Sequence, residues 1–328
     1  MIITKTPYRI SFFGGGSDYP NWYRKFDGAV LSTTIDKHIY LSCRYLPSFF
    51  QHKYRIVWSK IENVKNINEI RHVAVKNLLK HLNFKSGLEI HYDGDLPARS
   101  GMGSSSCFTV GLTKALLTLK NTKISNYNLA RKTINFEQKI MKEIVGSQDQ
   151  VAAAMGGFNK IIFKKNNSIK IKRIKKNKNI LRLENNLVLF YSGINRTAHT
   201  IASGYVNTLT SSKKEYIQKI VEHVNEGEKI IMSGNIDDFG KLLHSAWNLK
   251  KKLSKSISNS KIDSLYNEAI KFGAQGGKLL GAGGGGFLLM YMKKNYRKRF
   301  LKRFSKVIEV PFKFSDEGSQ VIFKNLNR

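Results

Sequence analysis

The chain has 328 residues, 41% of them hydrophobic, which is enough for one large or two ordinary globular domains. No apolar run reaches the length of a membrane-spanning helix, and two cysteines, Cys43 and Cys107, exclude a disulfide framework. The formal net charge is +33, from 56 basic and 23 acidic residues. Such a balance suits nucleic acid, an anionic membrane or a polyphosphate. The basic residues, however, are mostly Lys spread along the chain among Ile and Asn, and no aromatic-rich RNA motif accompanies them. A basic RNA-binding protein therefore stands as the different-class alternative, and neither a nucleic-acid nor a membrane partner is expected. Met1–Arg9 lacks the apolar core and cleavage site of a signal peptide, so a cytoplasmic location is expected.

Alternation of period two predicts strands over 2–13, 28–45, 53–58 and 88–92, and helical spacing predicts helices over about 69–82 and 105–119. A further helix is expected around 125–144, and Gly146-Ser147-Gln148-Asp149-Gln150 opens a short Ala-rich one. Phe163–Ile174 reads as a hairpin with an Asn166-Asn167 turn and a Lys-covered outer face. Leu187–Tyr191 is a buried-strand candidate, helices dominate from about 211 to 273, and Gly281–Gly286 leads into an apolar strand, Phe287–Met292. Residues 293–306 read as a basic amphipathic helix with Phe300, Leu301 and Phe304 inward. Strands and helices mix without strict alternation, so the class is α+β. A boundary near 185 gives two expected domains, 1–185 and 186–328.

Four segments carry chemistry. Pro97-Ala98-Arg99-Ser100-Gly101-Met102-Gly103-Ser104-Ser105-Ser106 lies between a strand and a helix. Glycines there allow close backbone approach, and free helix-start N–H groups favour a phosphate. A Ser-capped helix after a flexible turn explains the same residues. Gly14-Gly15-Gly16-Ser17-Asp18 follows the first strand, and its Asp18 can accept bonds from sugar hydroxyls or be an ordinary turn residue. Glu137 and Asp149 are two carboxylates beyond the phosphate loop, as a metal ligand and an acceptor of a hydroxyl proton would need to be. A solvated helix face explains Glu137 as well, and dipole stabilisation in a first helical turn explains Asp149. Gly281-Ala282-Gly283-Gly284-Gly285-Gly286 matches a dinucleotide fingerprint, but a strand follows it rather than a helix, so a glycine wall for a packed loop is expected instead.

In this order the segments resemble the GHMP kinase superfamily, along nearly the whole chain and closest to its sugar-1-kinase branch. Met102 stands where the family's loop has Leu, and Phe13–Pro20 departs from the galactokinase form. The resemblance implies a two-domain fold, an N-terminal ATP-binding domain with the phosphate loop and a C-terminal ferredoxin-like one, with ATP and sugar between them. It implies ATP and Mg²⁺ as cofactors, with Pro97 and Ser100–Ser106 around the phosphates, and Ser105 and Glu137 on the metal. It implies Asp149 as the catalytic acid–base residue and Arg9 as its cationic helper. Gly14, Gly15, Gly16, Ser17 and Asp18 would hold the sugar. Trp58, Ser59 and Lys60 are candidates for the adenine pocket. Arg196, after a strand–Gly turn, is the candidate for a second phosphate. The implied reaction phosphorylates the anomeric (C1) hydroxyl of a heptose 7-phosphate, giving a 1,7-bisphosphate for nucleotide-activated heptose synthesis. Another sugar such as fucose, or another small alcohol, is the alternative acceptor. The sequence leaves a monomer and a homodimer equally open.

Overall fold

The computed structural model describes residues 1–98, 100–194, 202–303 and 307–326. Among these, the strands form two sheets. Numbered along the chain they are β1 (Ile2–Phe13), β2 (Gly28–Tyr45), β3 (Tyr54–Val57), β4 (Ile61–Val64), β5 (Leu88–Gly94), β6 (Asn159–Phe163), β7 (Ile169–Arg173), β8 (Leu187–Tyr191), β9 (Gly276–Leu279), β10 (Phe287–Tyr291), β11 (Ile308–Glu309), β12 (Phe314–Ser315) and β13 (Gln320–Lys324). The larger sheet runs β13-β1-β2-β5-β3-β4, with β6 and β12 also on β2 and β7 on β6. The smaller is antiparallel, in the order β11-β8-β10-β9. With the helices Lys214–Ser233, Asp238–Lys251, Ser260–Lys271 and Lys294–Arg303 it makes the expected ferredoxin-like half of an α+β fold.

The expected division at residue 185 needs correction. Leu187 does open the second sheet, but β12 and β13 return to the first and pair with β2 and β1. The first sheet is thus built from both ends of the chain. The second correction concerns the helix expected over 125–144. It runs Asn126–Asn135, widens into a π-helical turn Phe136–Ile140, and then stops. That turn carries Glu137, and wide turns of this kind commonly re-aim a side chain. The hairpin β6–β7 forms as expected, with Asn167 at φ 62° in its turn.

The first sheet holds the site because β1 is buried along its last eight residues. The helix Ser104–Leu119 packs on β1 and β2, and it is buried nearly all round, its Ser and Thr included. The helices Lys214–Ser233 and Asp238–Lys251 also touch β1. Phe239 is the joint between the halves: its ring lies 5.3 Å from Phe12 and 5.0 Å from Phe13, both edge-on. Phe239 is fully buried. Phe239→Ala should cost about 3–5 kcal/mol, the usual range for emptying a buried ring site. Urea or guanidinium unfolding checks this, and a loss below 1 kcal/mol would show that the joint lies elsewhere.

Candidate active site

The phosphate loop owes its shape to two glycines in the left-handed region, Gly101 at φ 84° and Gly103 at φ 75°. Gly103 is itself the N-cap of Ser104–Leu119, and no side chain caps that helix. The alternative of a serine-capped helix is thereby corrected: the helix start is capped by no side chain. Gly101, Gly103, Ser104, Ser105 and Ser106 line a cavity of about 430 Å³ between the two halves. Ser100 and Met102 are fully buried beneath the loop, and Pro97 is exposed at its entrance, outside the cavity.

The expected glycine wall is present. A Cβ on Gly281 would come within 2.5 Å of Gly101 Cα, and one on Gly286 within 2.1 Å of Ser100 O. The second half therefore presses its backbone directly on the phosphate loop.

Arg9, near the middle of β1, reaches across to the short helix Gln148–Met155. Its Nε donates to Asp149 Oδ1 at 2.7 Å and its Nη2 to Asp149 Oδ2 at 2.8 Å, a bidentate fork. Its Nη1 donates to Gly101 O at 2.8 Å, so the same guanidinium holds the phosphate loop. Arg9 is buried.

The glycine turn lies beside this pair. Gly14 and Gly16 have φ of 91° and 105°, and a Cβ on Gly14 would stand 2.0 Å from Ala29 O. Asp18 Oδ1 accepts from Gly16 N at 3.0 Å and Oδ2 from Gln148 N at 3.2 Å. It thus caps the helix that carries Asp149 from a distance in sequence. Gly14, Gly15, Gly16 and Asp18 line the cavity. Ser17 does not, which corrects its expected place among sugar-binding groups. It is fully buried, with Oγ 2.8 Å from Gly14 O, and it accepts from Ala29 N at 3.1 Å. Its hydroxyl ties the turn to β2.

Glu137 is buried, and burial pushes its carboxyl up to about 7. Its Oε2 accepts from Ser106 Oγ at 2.9 Å and from Gln150 Nε2. The serine at Glu137 is therefore Ser106, whereas Ser105 is exposed on the cavity side. Glu137 Oε1 is buried without a hydrogen-bond partner. Among the described residues no cluster of three or more His, Cys, Asp or Glu could hold a metal. One carboxylate beside serine hydroxyls suits only a hydrated Mg²⁺ shared with phosphates.

Trp58, Ser59 and Lys60 lie at the β3–β4 turn and do not line the cavity. Trp58 Nε1 donates to Glu62 Oε1 at 2.9 Å, and its ring meets His72 at 4.9 Å. His72 stacks on Phe108 of the phosphate-loop helix at 4.8 Å. Trp58 is thus linked to the loop through two rings, while Ser59 and Lys60 are exposed. Arg196 lies outside the described residues. The cavity also gathers Tyr19, Gln148, Tyr205, Lys250 and Lys278, which the sequence did not single out. Tyr19 and Gln148 adjoin the glycine turn and Asp149, so adjacency was their one available signal.

Comparison with known proteins gives the family. A model of the GHMP kinases N-terminal domain matches residues 68–157, and one of the GHMP kinases C-terminal region matches residues 228–309. The chain is 27% identical to D-glycero-alpha-D-manno-heptose 7-phosphate kinase of Campylobacter jejuni, over 97% of each. It is 30% identical to mevalonate kinase of Methanocaldococcus jannaschii, over 74% of this chain and 78% of that one. The crystal structure of a D-glycero-D-manno-heptose 1-phosphate kinase from Bacteriodes thetaiotaomicron superposes with a TM-score of 0.80 at 21% identity, over 99% of this chain and 100% of that one. An ATP-dependent kinase is the class that fold and cleft define. The chain belongs to the GHMP kinase family.

Two outcomes follow from the cleft's packing and charge. Burial, and then the charge of Asp149, push the Asp18 carboxyl up from 3.8 to about 6. Between about pH 4 and 6 the folded state keeps a proton that the unfolded state has released, so Asp18 makes stability fall as pH rises through that window. Asp18→Asn should flatten that part of the urea-midpoint profile; an unchanged slope would assign it to other groups. Gly281→Val should cost about 1–3 kcal/mol through backbone strain at φ 71° and overlap with Gly101. It should also weaken ATP binding, which calorimetry would read.

Proposed function

We propose that the chain transfers the γ-phosphoryl group of ATP to the anomeric (C1) hydroxyl of a phosphorylated sugar, with a heptose 7-phosphate as the acceptor. The observation that carries this is the Arg9–Asp149 fork, which faces the phosphate loop across one cavity and is bonded to it through Gly101. The acceptor class rests on similarity to the Campylobacter jejuni heptose 7-phosphate kinase over 97% of each chain. Asp18 and the backbone of Gly14–Gly16 supply the hydrogen-bonding edge for sugar hydroxyls.

Phosphoryl transfer passes through a loose transition state, so positioning and charge matter more than a strong base. Arg9 occupies one lone pair on each Asp149 oxygen, fixing the carboxylate while leaving a second lone pair on each for the acceptor hydroxyl. Asp149 orients that hydroxyl and takes its proton late. The N-terminus of the phosphate-loop helix, at Ser105 and Ser106, and the dipole of that buried helix cradle the phosphates. Mg²⁺, when bound, neutralises phosphate oxygens; Ser105, Ser106 and Glu137, with its unpartnered Oε1, are the residues that would hold it.

A second acceptor class has support of its own. The chain is 26% identical to a bifunctional fucokinase/GDP-fucose pyrophosphorylase of Arabidopsis thaliana, over 90% of this chain and 30% of that protein. ADP release with ATP, Mg²⁺ and a panel of sugars and sugar phosphates should show the highest kcat/KM with heptose 7-phosphate. A higher value with fucose would move the assignment, and no release with any acceptor would end it. Asp149→Asn should lower kcat by about 10²–10⁴-fold with ATP affinity retained; an active variant would remove Asp149 from the chemistry.

A further inference from the structure

Two cations in the cleft have no part in the chemistry above. Lys250 lies in the last turn of the helix Asp238–Lys251, Lys278 lies in β9, and both line the cavity. Lys278 Nζ donates to Ser11 O at 3.0 Å and Phe12 O at 2.8 Å, just beyond Arg9 in β1. Lys250 Nζ donates to Leu279 O at 3.1 Å and to Gly281 O. No carboxylate among the described residues forms an ion pair with either. An ammonium has three N–H donors, so each keeps one beyond its two carbonyls.

A backbone strut explains the carbonyl bonds but not the charges. Burying the Lys278 ammonium without a counter-ion is expensive, and a second, half-buried ammonium in the same cleft adds to the cost. Their place in the cleft supplies a reason. Gly281, bonded to Lys250, stands against Gly101. Arg9 reaches Gly101 O from the β1 side. Three cations therefore converge on the corner where phosphate loop, β1 and glycine wall meet, and Asp149 matches one of them.

We propose that Lys250 and Lys278 form a seat for phosphate oxygens at this corner, gripping the phosphoryl group as it leaves the phosphate loop for the acceptor. The seat rests on the phosphotransfer reading above, and the missing counter-charge is the transferred group itself. The local electrostatics agree. Burial, then Arg9, pull Lys278 down to about 7 while Asp18 opposes them. Burial, then Lys278 and Arg9, hold Lys250 well below the ordinary lysine range. A phosphate arriving between them favours their charged forms, so binding takes up protons near and above pH 7.

The test compares the wild-type chain with Lys250→Met, Lys250→Gln and Lys250→Arg. Calorimetry at pH 8, in two buffers of different ionisation enthalpy, titrates ADP and the non-hydrolysable β,γ-imido analogue of ATP. The seat predicts that Met and Gln each weaken the imido analogue at least tenfold, leave ADP affinity unchanged and reduce proton uptake, with kcat down about 100-fold and partial rescue by Arg. Equal affinity, uptake and kcat in wild type and both neutral variants would overturn it. So would a rise in KM confined to phosphorylated acceptors, because that would assign Lys250 to the acceptor's own phosphate. Wild-type protein that binds neither nucleotide would defeat the phosphotransfer reading and the seat with it. Wild-type transfer that survives in Lys250→Met defeats the seat alone.

Discussion

Three parts of the chain meet at one buried guanidinium. Arg9 sits in β1, forks onto Asp149 at the start of the Gln148–Met155 helix, and donates to Gly101 O in the phosphate loop. Its backbone N–H donates to Met102 O at 3.3 Å. A buried ion pair contributes little net stability once desolvation is counted. What it supplies is register, because a planar fork accepts a carboxylate in few orientations. Shift β1 by one residue and Arg9 turns to the opposite face of the sheet, losing Asp149 and the loop together. The burial of β1 between helices makes that slip costly, and so the catalytic geometry inherits its precision from ordinary sheet packing.

Charge in the cleft follows a different logic from charge on the surface. The chain carries +33 overall, most of it on solvated Lys of little structural consequence. Inside, the balance is local. Arg9 is matched by Asp149, Asp18 is held by two backbone N–H groups, and Glu137 is held by a serine and a glutamine. Each buried carboxylate has hydrogen-bond donors of its own, the usual condition for burying such a group. Lys250 and Lys278 are the cleft's cations without a carboxylate partner among the described residues, whereas Arg9 has Asp149.

The long strands, the phosphate-loop helix and the Ala-rich helix were readable because each has a clear period of two or of three to four. The glycine wall was readable from context, since a strand rather than a helix follows Gly286. Lys250 and Lys278 were not readable. One lysine among 56 basic residues has no local signature, and its meaning comes from burial that only the tertiary fold creates. Ser17 misled for a related reason. It ends a ligand-like glycine turn, yet the left-handed Gly14 and Gly16 before it turn it inward onto Ala29. The two-residue strands β11 and β12 are too short to show any period. The π turn at Glu137 depends on where a helix ends in space, which periodicity does not encode.

The pairing of β13 with β1 has a consequence in time. Ile2 and Lys324 are partners in one ladder, so nearly the full length of the chain closes into a loop when that ladder forms. Contacts between residues so far apart in sequence are slow to find. During synthesis β1 emerges before both of its partners; β2 follows soon after, but the other edge of β1 stays unpaired until residues 320–324 are made. The strand that carries Arg9 is therefore an open edge for most of the protein's assembly, and open edges invite pairing with other chains. The last strand closes the sheet on which the active site is built, so catalytic geometry and protection from misassembly are completed in a single late step.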